Sequence, residues 1–235
     1  MLRRSYHWLE MFEIRYGLLL ALVVVACGRP ESMPSKAPQN QVVWTVDNLG
    51  SIGGRPVVVL GAPQVIDDPA GSAVEFDGID DGLRLPHHPL SGAGEFTAEV
   101  IFRPTAGGSP EQRFLHLQED GSKDRILFEI RITADDRWFL DTYIKSAGEG
   151  YTLFAKQHPH PLGPWYHAAL VVEGGTMRHY VNGDLEISRD IQYRAQATGR
   201  TSIGVRINEV SWFRGVIRAA RFTPRALSPD EFLQR

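Results

Sequence analysis

The sequence contains almost no cysteine. Among 235 residues only Cys27 is a cysteine, so an intrachain disulfide is impossible and the fold must rely on packing. A chain of this length can bury a core for one full-size domain without cross-links. The formal net charge of −3 also argues against a bulk nucleic-acid binder, which needs a surplus of Lys and Arg. We therefore expect no nucleic-acid partner.

Helical periodicity and common catalytic signatures are also missing. From Val42 onward, no segment keeps an apolar period of 3.6 residues over three turns. The sequence has neither a glycine-rich phosphate loop nor a dinucleotide fingerprint. Its serines lack the context of a nucleophile elbow. These absences disfavour a nucleotide-dependent enzyme and a serine hydrolase.

The N-terminal region has a short apolar run, Leu18–Ala26, preceded by arginines. The run is shorter than the roughly 20 residues of a membrane-spanning helix, but it fits the apolar part of a secretory signal. The residues Val24–Cys27 resemble the bacterial lipobox, in which the cysteine is diacylated and becomes the mature N-terminus. This resemblance implies a lipoprotein signal peptide over residues 1–26 and lipidation at Cys27. The alternative is an uncleaved anchor helix with a chance cysteine.

The next segment, residues 27–40, contains three prolines and little apolar bulk. Such a composition is typical of a flexible tether, so residues 41–235 form the predicted domain. Acyl chains on Cys27 would anchor that domain to a lipid bilayer. Because Gly28 follows Cys27 in place of Asp, we expect a membrane-anchored bacterial lipoprotein at the outer membrane or cell surface.

Charge is uneven along the predicted domain. Residues 189–235 hold nine arginines against four acidic residues. A basic face of this kind would attract an anionic partner. Alternatively, the arginine stems cover apolar surface. The sequence leaves both interpretations open.

Residues 41–235 consist of short β-rich runs separated by Gly, Pro, Asp and Asn at intervals of roughly 8–15 residues. This pattern predicts an all-β protein, a two-sheet antiparallel sandwich of the jelly-roll type. The pair Asn182-Gly183 favours a type I′ turn that pairs Val181 with Asp184.

A second hairpin is predicted between residues 125 and 145. A three-residue loop over 134–136 pairs Thr133 with Arg137 and gathers the apolar side chains on one face. The opposite face then carries charged and aromatic side chains together: Glu129, Arg131, Asp141, Tyr143 and Lys145. In this register Arg131 lies beside two carboxylates that face each other across the strands.

Several segments together resemble a known family. They read "GRPVVVLGAPQVIDDPAGSAVEFDG", "GEFTAEVIFRP", "PWYHAALVVEGGTMRHYVNG", "SIGV" and "GVIRAARFTPRALSPDEF". In this order they resemble the bacterial laminin G-like jelly roll of the concanavalin A-like lectin/glucanase superfamily. The resemblance implies the fold but leaves the function open, since this fold hosts lectins, adhesion modules, glycosidases and lyases.

In some members of this family a structural calcium ion lies between the "FDG" segment and an Asp of the last strand. Here Arg218 takes the place of that Asp, and a cation disfavours Ca²⁺. We therefore expect no cofactor and predict that Asp77 pairs with Arg218 or Arg221. Asp80 and Asp81 are then turn residues. A metal site at Asp77 and Asp80 is the weaker alternative.

Catalysis is not predicted. The Glu-x-Asp-x-Glu strand of the laminarinase-like glycosidases of this fold is absent. The one close acidic pair that the hairpin predicts, Glu129 and Asp141, lies beside Arg131. We expect Arg131 to keep both carboxylates ionised, which is unfavourable for a general acid. An enzyme that cleaves glycans is accordingly the third of our three interpretations.

A binding module is the first interpretation. Lectin sites stack a sugar on an exposed aromatic ring and bind its hydroxyls with charged or amide side chains. The candidate ligand-binding residues with this chemistry are Glu129, Arg131, Asp141 and Tyr143, with Trp212 in a predicted loop. We expect a non-catalytic module whose partner is a glycan, or alternatively a cell-surface protein.

Overall fold

The computed structural model describes residues 41–235. The predicted signal peptide, the lipidation of Cys27 and the tether fall on residues 1–40 and lie outside the described residues. Within residues 41–235 no helix is both long enough and apolar enough to cross a membrane.

The described residues form eighteen strands and a single 3₁₀ turn, Pro229–Glu231. In chain order the strands are β1 (Val42–Thr45), β2 (Ser51–Ile52), β3 (Arg55–Pro56), β4 (Val58–Leu60), β5 (Gln64–Ile66), β6 (Ala73–Asp77), β7 (Gly82–Leu85), β8 (Phe96–Pro104), β9 (Glu111–Glu119), β10 (Arg125–Ile132), β11 (Arg137–Ser146), β12 (Glu149–Phe154), β13 (His160–Pro161), β14 (Tyr166–Glu173), β15 (Thr176–Val181), β16 (Asp184–Asp190), β17 (Gly199–Ile203) and β18 (Arg214–Thr223).

These strands build two antiparallel sheets of eight strands each and one short two-stranded ribbon, β2–β3. The first sheet has the order β16-β15-β14-β8-β18-β6-β5, and β1 also pairs with β18. The second has the order β12-β11-β10-β9-β17-β7-β4, and β13 also pairs with β11. Neighbours such as β14–β8 and β9–β17 are distant in sequence, as expected for a jelly roll. The predicted fold class is confirmed.

The two sheets pack face to face through large apolar side chains. Phe102 of the first sheet stacks on Phe114 of the second, with ring centroids 4.4 Å apart, and Trp138 meets Phe102 edge-on at 5.2 Å. All three side chains are fully buried. Burying side chains of this size contributes roughly 1.5–3 kcal/mol each, so the sandwich is held by this aromatic centre.

Both predicted hairpins are confirmed. Val181 is opposite Asp184, and Asn182 has the positive φ of 54° that a type I′ turn requires. In the β10–β11 hairpin Glu129 is opposite Asp141, and the backbone N–H of Thr133 donates to the carbonyl of Arg137 at 2.8 Å. The apolar residues of this hairpin face the core, so the charged ones lie on the outer face of the second sheet.

Strand β9 contains a bulge that the sequence analysis missed. The β9–β10 register passes from Leu115 opposite Phe128 to Arg113 opposite Glu129, so Phe114 is the extra residue. A bulge changes the alternation of side chains. As a result Phe114 and Leu115 both enter the core, while Arg113 joins Glu129 on the outer face.

Candidate functional site: a charged cavity on the second sheet

The outer face of the second sheet carries an open cavity of about 210 Å³, which we call the outer cavity. Strands β9 to β12 and the loop after β17 supply its lining: Arg113, Arg125, Leu127, Glu129, Arg131, Asp141, Tyr143, Thr152 and Arg206. Four of the five predicted ligand-binding residues are therefore brought together. The fifth, Trp212, is half-buried in the loop before β18 and does not line the outer cavity.

Two carboxylates lie at the base of the outer cavity and both are engaged by arginines. Nε of Arg131 donates to Asp141 at 2.7 Å, and its Nη2 is 3.3 Å from Glu129. Nη2 of Arg113 is 3.0 Å from the same oxygen of Glu129. Arg113 and Arg131 also pair with Glu111 at the rim. The predicted position of Arg131 between two carboxylates is correct, and Arg113 is a partner that only the β9 bulge brings there.

Burial changes the proton affinity of these carboxylates. Glu129 and Asp141 are almost completely shielded from solvent. Removal from water raises the pKa of both carboxyl groups, and the charges of Arg113 and Arg131 oppose this rise without cancelling it. We expected Arg131 to keep both carboxylates ionised. Its charge does lower the pKa of both groups, but burial acts in the opposite direction and is the larger effect.

Tyr143 is less open than the sequence analysis expected. The guanidinium carbon of Arg125 lies 4.8 Å from the centroid of its ring, and a Cβ at Gly150 would come within 2.6 Å of its hydroxyl oxygen. The absent side chain of Gly150 thus leaves the space that Tyr143 occupies. The ring is half-buried and partly covered, so the hydroxyl group rather than a free ring face is what a ligand would meet.

An exposed aromatic ring does lie beside these charges, and the sequence analysis missed it. Phe154 is opposite Asp141 on β12 and is 46% exposed. Its ring packs edge-on against Phe139 at 4.7 Å, and Arg131 lies over it at 5.8 Å. Phe154 ends a short edge strand that follows a glycine-rich turn, so its exposure depends on the strand order, which the sequence does not reveal.

The acidic turn at Asp77 differs from its prediction. Neither Arg218 nor Arg221 pairs with Asp77. Oδ1 of Asp77 accepts the backbone N–H groups of residues 79, 80 and 81, and both oxygens of Asp81 accept backbone N–H groups. The cation beside this turn is Arg214, which is opposite Asp77 and donates to its carbonyl at 2.9 Å.

The β6–β18 register explains the error. Arg214 is opposite Asp77 and Ile217 is opposite Val74, so Arg218 lies four positions along β18 from the residue that faces Asp77. Its guanidinium lies 4.2 Å from the ring of Trp165. The positive charge that disfavours Ca²⁺ at this turn is therefore that of Arg214 and not that of Arg218. Carboxylate oxygens of Asp77, Asp80 and Asp81 lie within 4.8 Å of one another, but those of Asp77 and Asp81 are largely occupied by backbone donors.

The arginines of residues 189–235 do not share one surface. Four of them pair with carboxylates: Arg194 with Glu119 and Asp124, Arg200 with Asp120, Arg221 with Glu99, and Arg225 with Glu231. They lie on strands and loops of both sheets. The excess charge of this stretch is thus dispersed, and a single basic contact face does not form.

Comparison with known proteins identifies the family. A family model of laminin G-like domains, described as the concanavalin A-like lectin/glucanases superfamily, matches residues 77–232. The chain belongs to this family. Among curated proteins none matches the sequence.

Solved structures of similar shape support the fold. Domain 4 of AbnA, an extracellular arabinanase from Geobacillus stearothermophilus, was solved in complex with arabinotriose; it is 20% identical, with a TM-score of 0.61 over 81% of this chain and 94% of that one. The binding domain of Paraclostridial Mosquitocidal Protein 1 is 14% identical, with a TM-score of 0.63 over 82% of this chain and 50% of that one.

A third similar structure concerns botulinum neurotoxin type C, whose cell entry depends on interaction with two ganglioside molecules. It is 10% identical to this chain, with a TM-score of 0.60 over 82% of this chain and 49% of that one. The chain thus spans about half the length of the two toxin structures. At these identities the similarity establishes a shared fold, and the site has to be judged from its own residues.

Proposed function

We propose that the protein is a non-catalytic carbohydrate-binding module that Cys27, once acylated, attaches to the outer membrane or cell surface. The observation that carries the proposal is the outer cavity. It combines paired charged groups with the hydroxyl of Tyr143, and the exposed ring of Phe154 lies beside it. Polar groups that fix hydroxyls next to an apolar surface are the usual composition of a small-ligand site.

The size of the outer cavity suits one sugar residue of a longer chain. Its volume of about 210 Å³ is below the roughly 300–1,000 Å³ of pockets that enclose drug-sized ligands. Similar structures add support, because the arabinanase domain was solved with arabinotriose and the type C toxin depends on gangliosides. A glycan that extends along the open face would place one residue in the outer cavity and its neighbour over Phe154.

A binding role fits the carboxylates better than a catalytic one. A glycosidase needs one carboxyl group that is free to protonate the leaving oxygen. Here both acids of the outer cavity are held by guanidiniums, Asp141 by Arg131 and Glu129 by Arg113 as well. Although burial raises the pKa of both acids, the guanidiniums hold Oε2 of Glu129 and Oδ2 of Asp141 in ion pairs, which suits fixed acceptors for sugar hydroxyls better than a free proton donor.

A glycan array with the full chain tests this proposal. We expect one class of glycan to be retained, and its affinity to fall at least tenfold in the variants Tyr143→Ala and Phe154→Ala. Leu185→Ala is the matched control, since Leu185 is 52% exposed on β16 of the other sheet. No retained glycan, or equal losses in all three variants, would contradict the proposal. The no-glycan result would favour a protein partner.

The membrane anchor is tested separately. Two acyl chains are sufficient for stable membrane attachment. The wild-type chain should incorporate labelled palmitate and sediment with membranes, while Cys27→Ser should do neither. A Cys27→Ser chain that stays fully membrane-bound would show that another segment is the anchor.

A further inference from the structure

The outer cavity has an excess of positive charge. Its lining contains four arginines and only two carboxylates, so two guanidiniums are left over: Arg113, Arg125, Arg131 and Arg206 against Glu129 and Asp141. Arg113 and Arg131 take both carboxylates of the lining, together with Glu111. Arg125 and Arg206 are the two that remain.

Arg125 and Arg206 have no anionic partner within residues 41–235. Among the described residues, the only side-chain hydrogen bond of Arg125 goes from Nη1 to the carbonyl of Lys123 at 2.9 Å. Arg206 has no side-chain hydrogen bond or ion pair in this part of the chain. The Nε atoms of both are buried and lack an acceptor among the described residues. Polar groups shielded from water normally have a hydrogen-bond partner, so these two half-buried arginines supply donors in one cavity that suit an anion.

The fold holds these charges together against their repulsion. Arg113 fixes the loop that carries Arg206, because its N–H donates to the carbonyl of Ser211 at 2.9 Å and its Nη1 to Oγ at 2.6 Å. Ser211 has a φ of 59°, which is unusual for a residue other than glycine. Burial and the neighbouring Arg125 and Arg113 lower the pKa of Arg206. The loop thus brings Arg206 close to like charges, an arrangement that a bound anion would stabilise.

We infer that the glycan bound in the outer cavity is acidic, and that Arg125 and Arg206 bind its carboxylate or sulfate group. This inference rests on the proposed function and names the class of sugar. A guanidinium binds a planar carboxylate or a sulfate through two parallel N–H donors, which gives both affinity and orientation. Arg113 and Arg131 hold the two carboxylates and would bind the neutral hydroxyls of the same residue.

The test uses pairs of sugars that differ in one acidic group. The probes are a galacturonic acid trimer with its methyl ester, and a sulfated glucosamine disaccharide with its unsulfated form. Calorimetric titration of the full chain should show at least tenfold tighter binding of one acidic probe than of its neutral counterpart. The acidic probe that binds more tightly than its neutral counterpart shows whether the site prefers a carboxylate or a sulfate group. The affinity should also weaken as salt is added, since ions screen the partly exposed charges.

Three variants test which residues bind the acidic group of the sugar. Arg125→Gln and Arg206→Gln should each reduce the preference for the acidic probe at least fivefold, and the double variant should abolish it. Binding of the neutral counterpart should stay within twofold. Arg178→Gln is the control, because Arg178 is a half-buried arginine on β15 of the other sheet. Melting temperatures check that each variant is folded.

The outcomes separate this inference from the function on which it rests. Equal affinity for both members of each pair, with binding still lost in Tyr143→Ala, would overturn the acidic preference and keep the carbohydrate site. An acidic preference that survives in the double variant would overturn the assignment of Arg125 and Arg206. Binding of neither member of any pair would overturn this inference, and the glycan array then decides the proposed function.

Discussion

The two sheets of this sandwich carry charged groups on their outer faces, but these groups find their partners differently. On the first sheet Glu99 is fully buried and accepts hydrogen bonds from His167 at 2.9 Å, from Arg221 at 2.9 Å and from the backbone N–H of Leu233 at 2.8 Å. On the second sheet the outer cavity is open, and its arginines outnumber its carboxylates.

The C-terminal segment makes this difference. Leu227 and Phe232 pack on Ala169, Val171 and Tyr180, and so cover the outer face of β14 and β15 in the first sheet. The Glu99 network thereby connects β8, β14 and β18 to the chain end, and the carboxylate of Glu99 is buried beneath it. A buried ion pair on an outer face therefore indicates binding only where donors remain unpaired and solvent has access.

The largest expected effect comes from breaking the closed network. Glu99→Gln removes the charge that Arg221 faces in a buried position, and breaking such a pair costs about 3–5 kcal/mol. Urea unfolding should show this loss, whereas glycan binding by the folded fraction should be unchanged. Glu173→Gln is the control, since Glu173 is exposed at the end of β14. A Glu99→Gln variant of wild-type stability would mean that the two faces do not differ as described.

A third charged network, around Glu119, is only partly exposed to solvent, and its contribution to stability should depend on pH. Glu119 accepts hydrogen bonds from two nitrogens of Arg194 and from the backbone N–H of Ala197, which lowers its pKa from 4.5 to about 2. Because the folded pKa is the lower one, the stability that the ionised group contributes is present above pH 4.5 and is lost as the pH falls toward 2.

Arg194 is half exposed, so water screens the pair and we expect its contribution to be about 1–2 kcal/mol. Unfolding curves should be recorded between pH 6 and pH 3 in steps of roughly one pH unit. The free energy of unfolding should fall more steeply with pH for the wild type than for Glu119→Gln. If the free energy of unfolding fell equally with pH in both proteins, the ion pair with Arg194 would not be what lowers the pKa of Glu119.

A smaller effect should distinguish the unpaired arginine of the outer cavity from a paired one. Arg206→Gln removes a like charge beside Arg125 and breaks no ion pair, so without ligand the free energy of unfolding should stay the same or rise by up to about 0.5 kcal/mol. Arg194→Gln, the matched comparison, breaks the pairs with Glu119 and Asp124 and should lower it by about 1–2 kcal/mol. A clear destabilisation by Arg206→Gln would mean that Arg206 has a structural partner.

The smallest effect, none at all, is expected from calcium. The oxygens of Asp77 and Asp81 are engaged by backbone N–H groups, and Arg214 adds a positive charge nearby. A ligand that binds only the folded state raises the melting temperature. CaCl₂ and EDTA should therefore leave the melting temperature unchanged. A rise with CaCl₂ that Asp80→Asn abolishes would show that this turn is a calcium site.

Local patterns predicted local structure well. The alternation of residues 125–145 and the three-residue loop fix the β10–β11 register, so Glu129, Arg131, Asp141 and Tyr143 could be placed on one outer face from the sequence. The same holds for the Asn182-Gly183 turn.

Features that depend on distant strands could not be predicted in this way. The bulge at Phe114 brings Arg113 to the outer face, and the β6–β18 register places Arg214 rather than Arg218 opposite Asp77. Neither feature has a signal in its own strand, because each is set by the pairing with another strand. Arg206 joins the outer cavity only through the loop that Ser211 connects to Arg113, a contact between residues 98 positions apart in the chain.

We expect ligand to bind the outer face of the second sheet and not that of the first. The most direct measurement is a two-dimensional NMR titration of the full chain with the glycan that the array selects. We predict that the shifted backbone amides cluster around the outer cavity, at Leu127, Glu129, Asp141 and Thr152. Shifts concentrated at Ala169 and Tyr180 of the covered face, or no shifts at saturating glycan, would contradict the account.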